Sequence, residues 1–204
     1  ILKELSLTEN KTLALCRRNI DNLPFNTEQL ILDFNRLSEL DIPEIDHLFL
    51  SLGYPLYFHN VMGIMSESLK KDLFLVDFTY QLEIAKKAKD AGAKNISLIS
   101  AVGANAQSWN YYLKTKGKVE NEIINLGFDS TNIFQPGHLR GNSYRIDIFL
   151  ADIASIVLDP FLYGPLKKFR SISARAVSKQ VVKNSLNNKL GINYFDFKDF
   201  QPWR

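Results

Sequence analysis

The chain is 204 residues long, 46% hydrophobic, with a formal net charge of +3 and a single cysteine. That length sets one domain with at most a small appendage, large enough to bury a substantial core. No apolar run reaches the ~18 residues that would cross a membrane, and the lone Cys16 excludes an internal disulfide and fits a reducing cytoplasm. Basic residues are scattered apart from pairs such as Arg17-Arg18 and Lys167-Lys168, with no nucleic-acid-binding motif beside them. His47, His59, His138 and Cys16 are too far apart in sequence to make a metal-ligand cluster.

In chain order, residues 1–7 have the apolar spacing of the end of an amphipathic helix. Residues 11–16 read as a buried strand, as do 29–33 and 47–52, the last stopped by Gly53. A long helix is predicted over residues 66–91, with Gly92 past its end as a C-cap. A short buried strand follows at 96–99, then a polar loop rich in Gly, Ala and Asn. The next helix runs from about Trp109 to near Gly127, and a strand follows at 131–135. The tail reads as a helix over 143–158, a Pro- and Gly-bearing turn over 159–165, a helix over 174–186 with Ser173 as N-cap, and a short strand at 192–197. Near-continuous apolar strands alternating with helices predict an α/β fold, a parallel sheet covered on both faces.

The chemistry concentrates between Asn95 and Glu120. Ser100 stands at the carboxyl end of its strand. Tyr112 and Lys116, four residues apart, share one face of the following helix. A serine hydroxyl, a phenol and an ammonium so placed suit carbonyl reduction: a proton donor, a cation that tunes it and a group that holds the carbonyl oxygen. Tyr-x-x-x-Lys alone carries little weight, because 8 Tyr and 17 Lys give roughly 0.7 such pairs by chance. Three occur here. Tyr163 and Lys167 are separated by Gly164 and Pro165, which break a helix. Tyr194 and Lys198 lie in an extended aromatic run with no loop serine nearby. Only Tyr112 has a helix around it and a strand-end serine before it.

Several segments carry a family likeness. They are Val76-Asp77-Phe78-Thr79-Tyr80, Ala91-Gly92-Ala93-Lys94, Leu98-Ile99-Ser100, Gly103-Ala104-Asn105, the run from Tyr112 to Glu120, Leu126-Gly127-Phe128-Asp129 and Pro136-Gly137. Through them the chain resembles the short-chain dehydrogenase/reductase superfamily, and within it the atypical group of Tat-interacting-protein oxidoreductases and their bacterial relatives. The likeness is dense from about Leu75 to Gly141 and looser on both sides.

The resemblance implies a Rossmann-like doubly wound parallel sheet, with residues 1–141 as the NAD(P)-binding domain and 142–204 as a small substrate-side region of the same unit. It implies an oxidoreductase with a small-molecule carbonyl or alcohol substrate, while the composition predicts no nucleic-acid partner and no membrane span. Ser100, Tyr112 and Lys116 would be catalytic, with Lys116 also holding the nicotinamide ribose and lowering the pKa of the phenol. In such a fold the second strand ends at the adenosine ribose, where an acid suits NAD and arginine suits the extra phosphate of NADP. Arg17 and Arg18 stand there without a carboxylate, which favours NADP(H) over NAD(H). Asp33 and the backbone of Phe34 would meet the adenine, Gly53 would let the backbone approach the cofactor closely, and Pro136-Gly137 would lie beside the nicotinamide, with His138 facing either substrate or solvent. Where the family has Arg before that Pro, this chain has Gln135. The aromatic run 54–59 suits either a substrate mouth or a local packing cluster, the latter the simpler.

The start of the chain is the departure. A dinucleotide-binding fold opens on a strand, a Gly-rich turn and a helix whose N-terminus holds the pyrophosphate. No such Gly-rich motif occurs in this sequence. In the 3-2-1-4-5-6 order the first strand is central, so its absence predicts a gap between the Arg17 strand and the His47 strand, with unpaired backbone facing it. The expectation is therefore an N-terminally truncated Rossmann-like sheet, favoured over a degenerate fold that has lost its cofactor loop because the remaining sites are intact. Two other readings remain: an NADP(H)-binding regulatory or scaffold protein with little turnover, and a nucleotide-sugar epimerase, for which the ~60 residues after the sixth strand are too few.

Overall fold

The computed structural model describes residues 1–140, 159–187 and 189–200. Strands β3 (His47–Leu50), β4 (Asn95–Ile99), β5 (Ser130–Phe134) and β8 (Gly191–Phe195) form a parallel sheet in the order β3-β4-β5-β8. Strands β1 (Thr12–Cys16) and β2 (Thr27–Ile31) pair in parallel as a separate two-stranded sheet. Two short segments, β6 (Leu139–Arg140) and β7 (Ile172–Ser173), form a further parallel pair. The predicted helix over 143–158 lies outside the described residues.

Between β1 and β3 lies a cavity of about 880 Å³. Its walls run from Lys11, Asp46 and Lys94 at the amino ends of the strands to Cys16 and Leu52 at their carboxyl ends. The gap expected from the strand order is therefore present, at the full height of the sheet.

Strand bounds follow partners more than polarity. β2 begins at Thr27, earlier than the predicted 29, because its register with β1 starts at Thr12 opposite Thr27. Asp33 has already left the strand to cap a short 3-10 turn (Phe34–Glu39), its carboxylate accepting from the Asn35 N–H at 3.0 Å. β3 stops at Leu50, paired with Leu98, and not at 52.

The predicted helix over 66–91 is three segments: α3 (Glu67–Phe74), a wide π turn (Leu75–Tyr80) and α4 (Gln81–Asp90). Ser66 caps its start, accepting from the Leu69 N–H at 3.2 Å, and Gly92 beyond its end takes φ +94°. Helix α5 (Tyr111–Asn125) packs beside α4 and the π turn. Leu48, Ile84, Ala88, Ile96, Leu98 and Ile123 meet in the core beneath them, and Leu15 and Leu30 of the separate β1–β2 pair pack against it, with Leu32 just past β2. The other face of the sheet is covered by α1 (Leu2–Leu5) and α6 (Ala174–Ser185), with Phe134, Val177, Val181 and Phe200 at its centre. A parallel sheet buried on both faces explains why β5 is buried at every position although it reads Ser-Thr-Asn-Ile-Phe.

Candidate active site

Helix α5 carries the candidate site. It starts at Tyr111, two residues after the expected Trp109, because Asn110 is the N-cap. The Asn110 side chain accepts from the Leu113 N–H at 3.2 Å, and its amide donates to the Val61 carbonyl at 2.9 Å, so one side chain fixes both the helix start and a neighbouring loop. Trp109 stands ahead of the helix, fully exposed. Successive steps of four put Tyr112, Lys116 and Glu120 on one stripe. The stripe is pressed onto the loop after β4 at Gly117, where an added Cβ would meet the Ala106 backbone nitrogen at 2.3 Å.

Ser100 leaves β4 buried, its N–H donating to the Phe134 carbonyl at 2.8 Å. Its hydroxyl donates to Oε1 of Glu120. The Gln135 amide donates to the same carboxyl at 2.9 and 3.2 Å. The structure thus brings Ser100 onto the Tyr112–Lys116 stripe through Glu120. Gln135 is a member of this network.

The Lys116 ammonium lies 2.7 Å from Oδ1 of Asp77, with both side chains almost wholly inaccessible to solvent. The second oxygen of Asp77 accepts from the Tyr54 N–H at 2.7 Å, which ties the loop after β3 to the site. The π turn widens the helix where Asp77 projects, and such turns recur at functional positions. Asp77 and Glu120 entered the sequence reading only as carriers of a likeness. The signal for both was a carboxylate on the buried face of an amphipathic helix, where an apolar residue is expected.

Electrostatics depart from expectation at Tyr112. Burial pushes its phenol above the ordinary 10.0, against the pull of Lys116, and Asp77 adds to the rise. The expected lowering by Lys116 is present in sign, but desolvation outweighs it and Asp77 offsets the cation. The Lys116 ammonium ends above its ordinary 10.5: burial works against it, and Asp77, then Tyr112, outweigh that. Burial also raises the Glu120 carboxyl above its ordinary 4.5, opposed by the bonds from Gln135 and Ser100 and by the Lys116 charge.

The expected cofactor residues sit along the carboxyl ends of the strands. Arg17, Arg18, Asp33 and Leu32 line a cavity of about 490 Å³ at the ends of β1 and β2. Both arginines are exposed, and among the described residues no carboxylate is within ion-pair distance of either. The Phe34 ring turns into the core, edge-on to Tyr80 at 5.7 Å, so only its backbone is offered. At Gly53 an added Cβ would find its nearest atom, Oδ1 of Asp77, at 4.0 Å, so the backbone there is open to close approach. Pro136 accepts from the Val102 N–H at 3.0 Å, joining the loops after β4 and β5. Gly137 lies against the Arg170 carbonyl, where a Cβ would come within 2.5 Å, and the His138 carbonyl accepts from Ile172 at 2.8 Å. In the aromatic run, Tyr57 and His59 stack at 5.8 Å, a local packing contact.

The other two Tyr–Lys pairs do not share such a stripe. Tyr163 precedes a 3-10 turn (Gly164–Phe169) and is exposed. Tyr194 lies on β8 with Lys198 beyond the strand end.

The parallel sheet with helices on both faces is Rossmann-like, and solved structures agree on the fold. ElxO with NADP bound superposes with a TM-score of 0.68 at 12% identity, covering 95% of this chain and 90% of that one. The human epimerase family protein SDR39U1 with NADPH gives 0.63 at 12% identity, covering 95% of this chain and 68% of that one. No family model matches the chain. By sequence it is similar to the protein FMP52, mitochondrial, of Candida albicans, with 35% identity over 129 residues, which are 61% of this chain and 55% of that protein. Proteins of the same name from Debaryomyces hansenii and Lodderomyces elongisporus align over 79 and 66 residues, 33% and 28% of their lengths, so the chain spans about half or less of these curated relatives.

These relatives do not carry the name of the Tat-interacting-protein group to which the likeness pointed. The cytoplasmic expectation is overturned by their designation as mitochondrial. A lone cysteine reports that no internal disulfide forms; it does not distinguish one reducing compartment from another.

Proposed function

We propose that the protein is a mitochondrial NADP(H)-dependent oxidoreductase that reduces a carbonyl on a Ser100, Tyr112, Lys116 site. The observation that carries this reading is the stripe of α5 on which a half-buried Tyr112 shares a face with buried Lys116 and Glu120 gathers in Ser100. When bound, the dinucleotide supplies a hydride to the carbonyl carbon. Tyr112, held in its protonated form by burial, gives its proton to the carbonyl oxygen, and the product is the alcohol. Ser100 orients and polarises that oxygen. Lys116 has three N–H donors and spends one on Asp77, which leaves two for the ribose hydroxyls. Arg17 and Arg18 would take the 2′-phosphate.

The slot between β1 and β3 suits a further parallel strand followed by a Gly-rich turn. Amide exchange in the full-length protein tests this: slow exchange along the facing edges of both strands is expected, and fast exchange there would rule it out.

The experiment for the function is a titration of NADPH and NADH against the full-length wild type and Tyr112→Phe, followed by turnover with a carbonyl panel. Tighter NADPH binding in both proteins is expected, with turnover lost by a factor of about 10² to 10⁴ in the variant. Wild-type turnover in Tyr112→Phe would sink the assignment. Tight binding without turnover in either protein would favour the regulatory reading.

A further inference from the structure

The Ser100 hydroxyl has one proton to give, and in this structure it faces Glu120. A carboxylate only accepts hydrogen bonds, so an ionised Glu120 would hold that proton and leave Ser100 nothing to donate to a substrate oxygen. The charges around the stripe point to the other state. Asp77 and Lys116 are paired at 2.7 Å and cancel. Glu120 is 4% exposed, and its hydrogen-bond partners, Ser100 and Gln135, are neutral. A buried carboxylate without its own counter-ion is unfavourable, and taking up a proton removes the penalty.

We propose that Glu120 is a neutral carboxylic acid that donates its hydrogen to the Ser100 oxygen and so frees the Ser100 proton for the carbonyl. This rests on the reductase reading for the direction in which Ser100 donates. Glu120 is then a positioning residue, acting through Ser100. Loss of its proton draws the Ser100 hydrogen inward and switches the donor off.

The groups that face Glu120 are Lys116 on its own helix, with Asp77 and Tyr112 beyond Lys116, Ser100 from β4, Gln135 after β5 and Tyr194 from β8. Tyr112 and Tyr194 are held above 10.0 and Lys116 above 10.5, so these three titrate in the alkaline range, away from Glu120.

The test is a carbon-13 NMR titration of the glutamate carboxyls in the full-length protein without cofactor. The Glu120 signal is assigned by its absence in Glu120→Gln, and infrared detection of a protonated carboxyl in the wild type serves should that variant not fold. The inference requires an inflection above the pH at which turnover is assayed, and so above the ordinary 4.5. An inflection below the assay pH would overturn the inference. In turnover, the wild type should lose about tenfold in rate per pH unit above that inflection. Glu120→Gln, whose amide N–H donates to Ser100 at every pH, should show no such fall. A fall retained in Glu120→Gln would also overturn it. A high inflection together with full activity in Tyr112→Phe would instead refute the reductase reading and leave the protonation state of Glu120 standing.

Discussion

Lys116 and Asp77 form a buried ion pair at 2.7 Å, one partner from α5 and the other from the π turn between α3 and α4. It joins two helices beneath the carboxyl ends of the strands, and Asp77 reaches on to the backbone of Tyr54. The pair therefore positions the ammonium, the phenol beside it and the loop after β3 together.

Asp77→Asn leaves the ammonium buried without a counter-charge. A cost of about 3 to 5 kcal/mol is expected in urea unfolding near neutral pH. The folded-state pKa of Lys116 is raised, so its contribution is fully present below the ordinary 10.5 and is lost only as pH rises through the higher folded value. The gap between wild type and variant should therefore stay constant through neutral pH and close only in alkali. A stability loss under about 1 kcal/mol at neutral pH, the worth of an exposed pair, would show that the pair is solvated.

Gly117 reverses the usual effect of glycine in a helix. By propensity alone Gly117→Ala should stabilise α5 by about 1 kcal/mol. Here the new methyl would stand 2.3 Å from the backbone of both Asn105 and Ala106, which cannot swing aside as a side chain tip would. Net destabilisation of about 1 to 3 kcal/mol is expected, together with reduced turnover as the loop after Ser100 is displaced. Chemical unfolding checks the sign, and a variant more stable than wild type would disprove the contact.

His47 gives a pH signature distinct from the site. Its Nε2 is 2.9 Å from the Ser97 hydroxyl, which in turn is 2.6 Å from that of Ser185. Burial lowers its pKa from 6.5 to about 4, against a smaller pull from Asp46. A lowered histidine favours the neutral form, so its contribution is complete above 6.5 and fades as pH falls through about 4. At most about 3 kcal/mol is involved. Unfolding free energies measured from pH 7 to 3 should show this acid loss in wild type and a shallower one in His47→Gln. Equal slopes would mean that the ring is solvated.

What the sequence determined by itself was local. The apolar strands at Thr12 and Ile96, the cap at Ser173, the positive-φ glycine at Gly92 and the shared face of Tyr112 and Lys116 follow from residue type and period. The gap beside His47 followed from a missing motif and a fixed strand order. Tertiary structure alone decided which residues Lys116 and Ser100 address, because Asp77 and Glu120 lie 39 and 20 positions away in the chain and meet them only when α5 docks. It also decided the direction of the Tyr112 shift. Sequence supplied the lysine that lowers it, but desolvation depends on burial, and burial exists only once the helices close over the sheet.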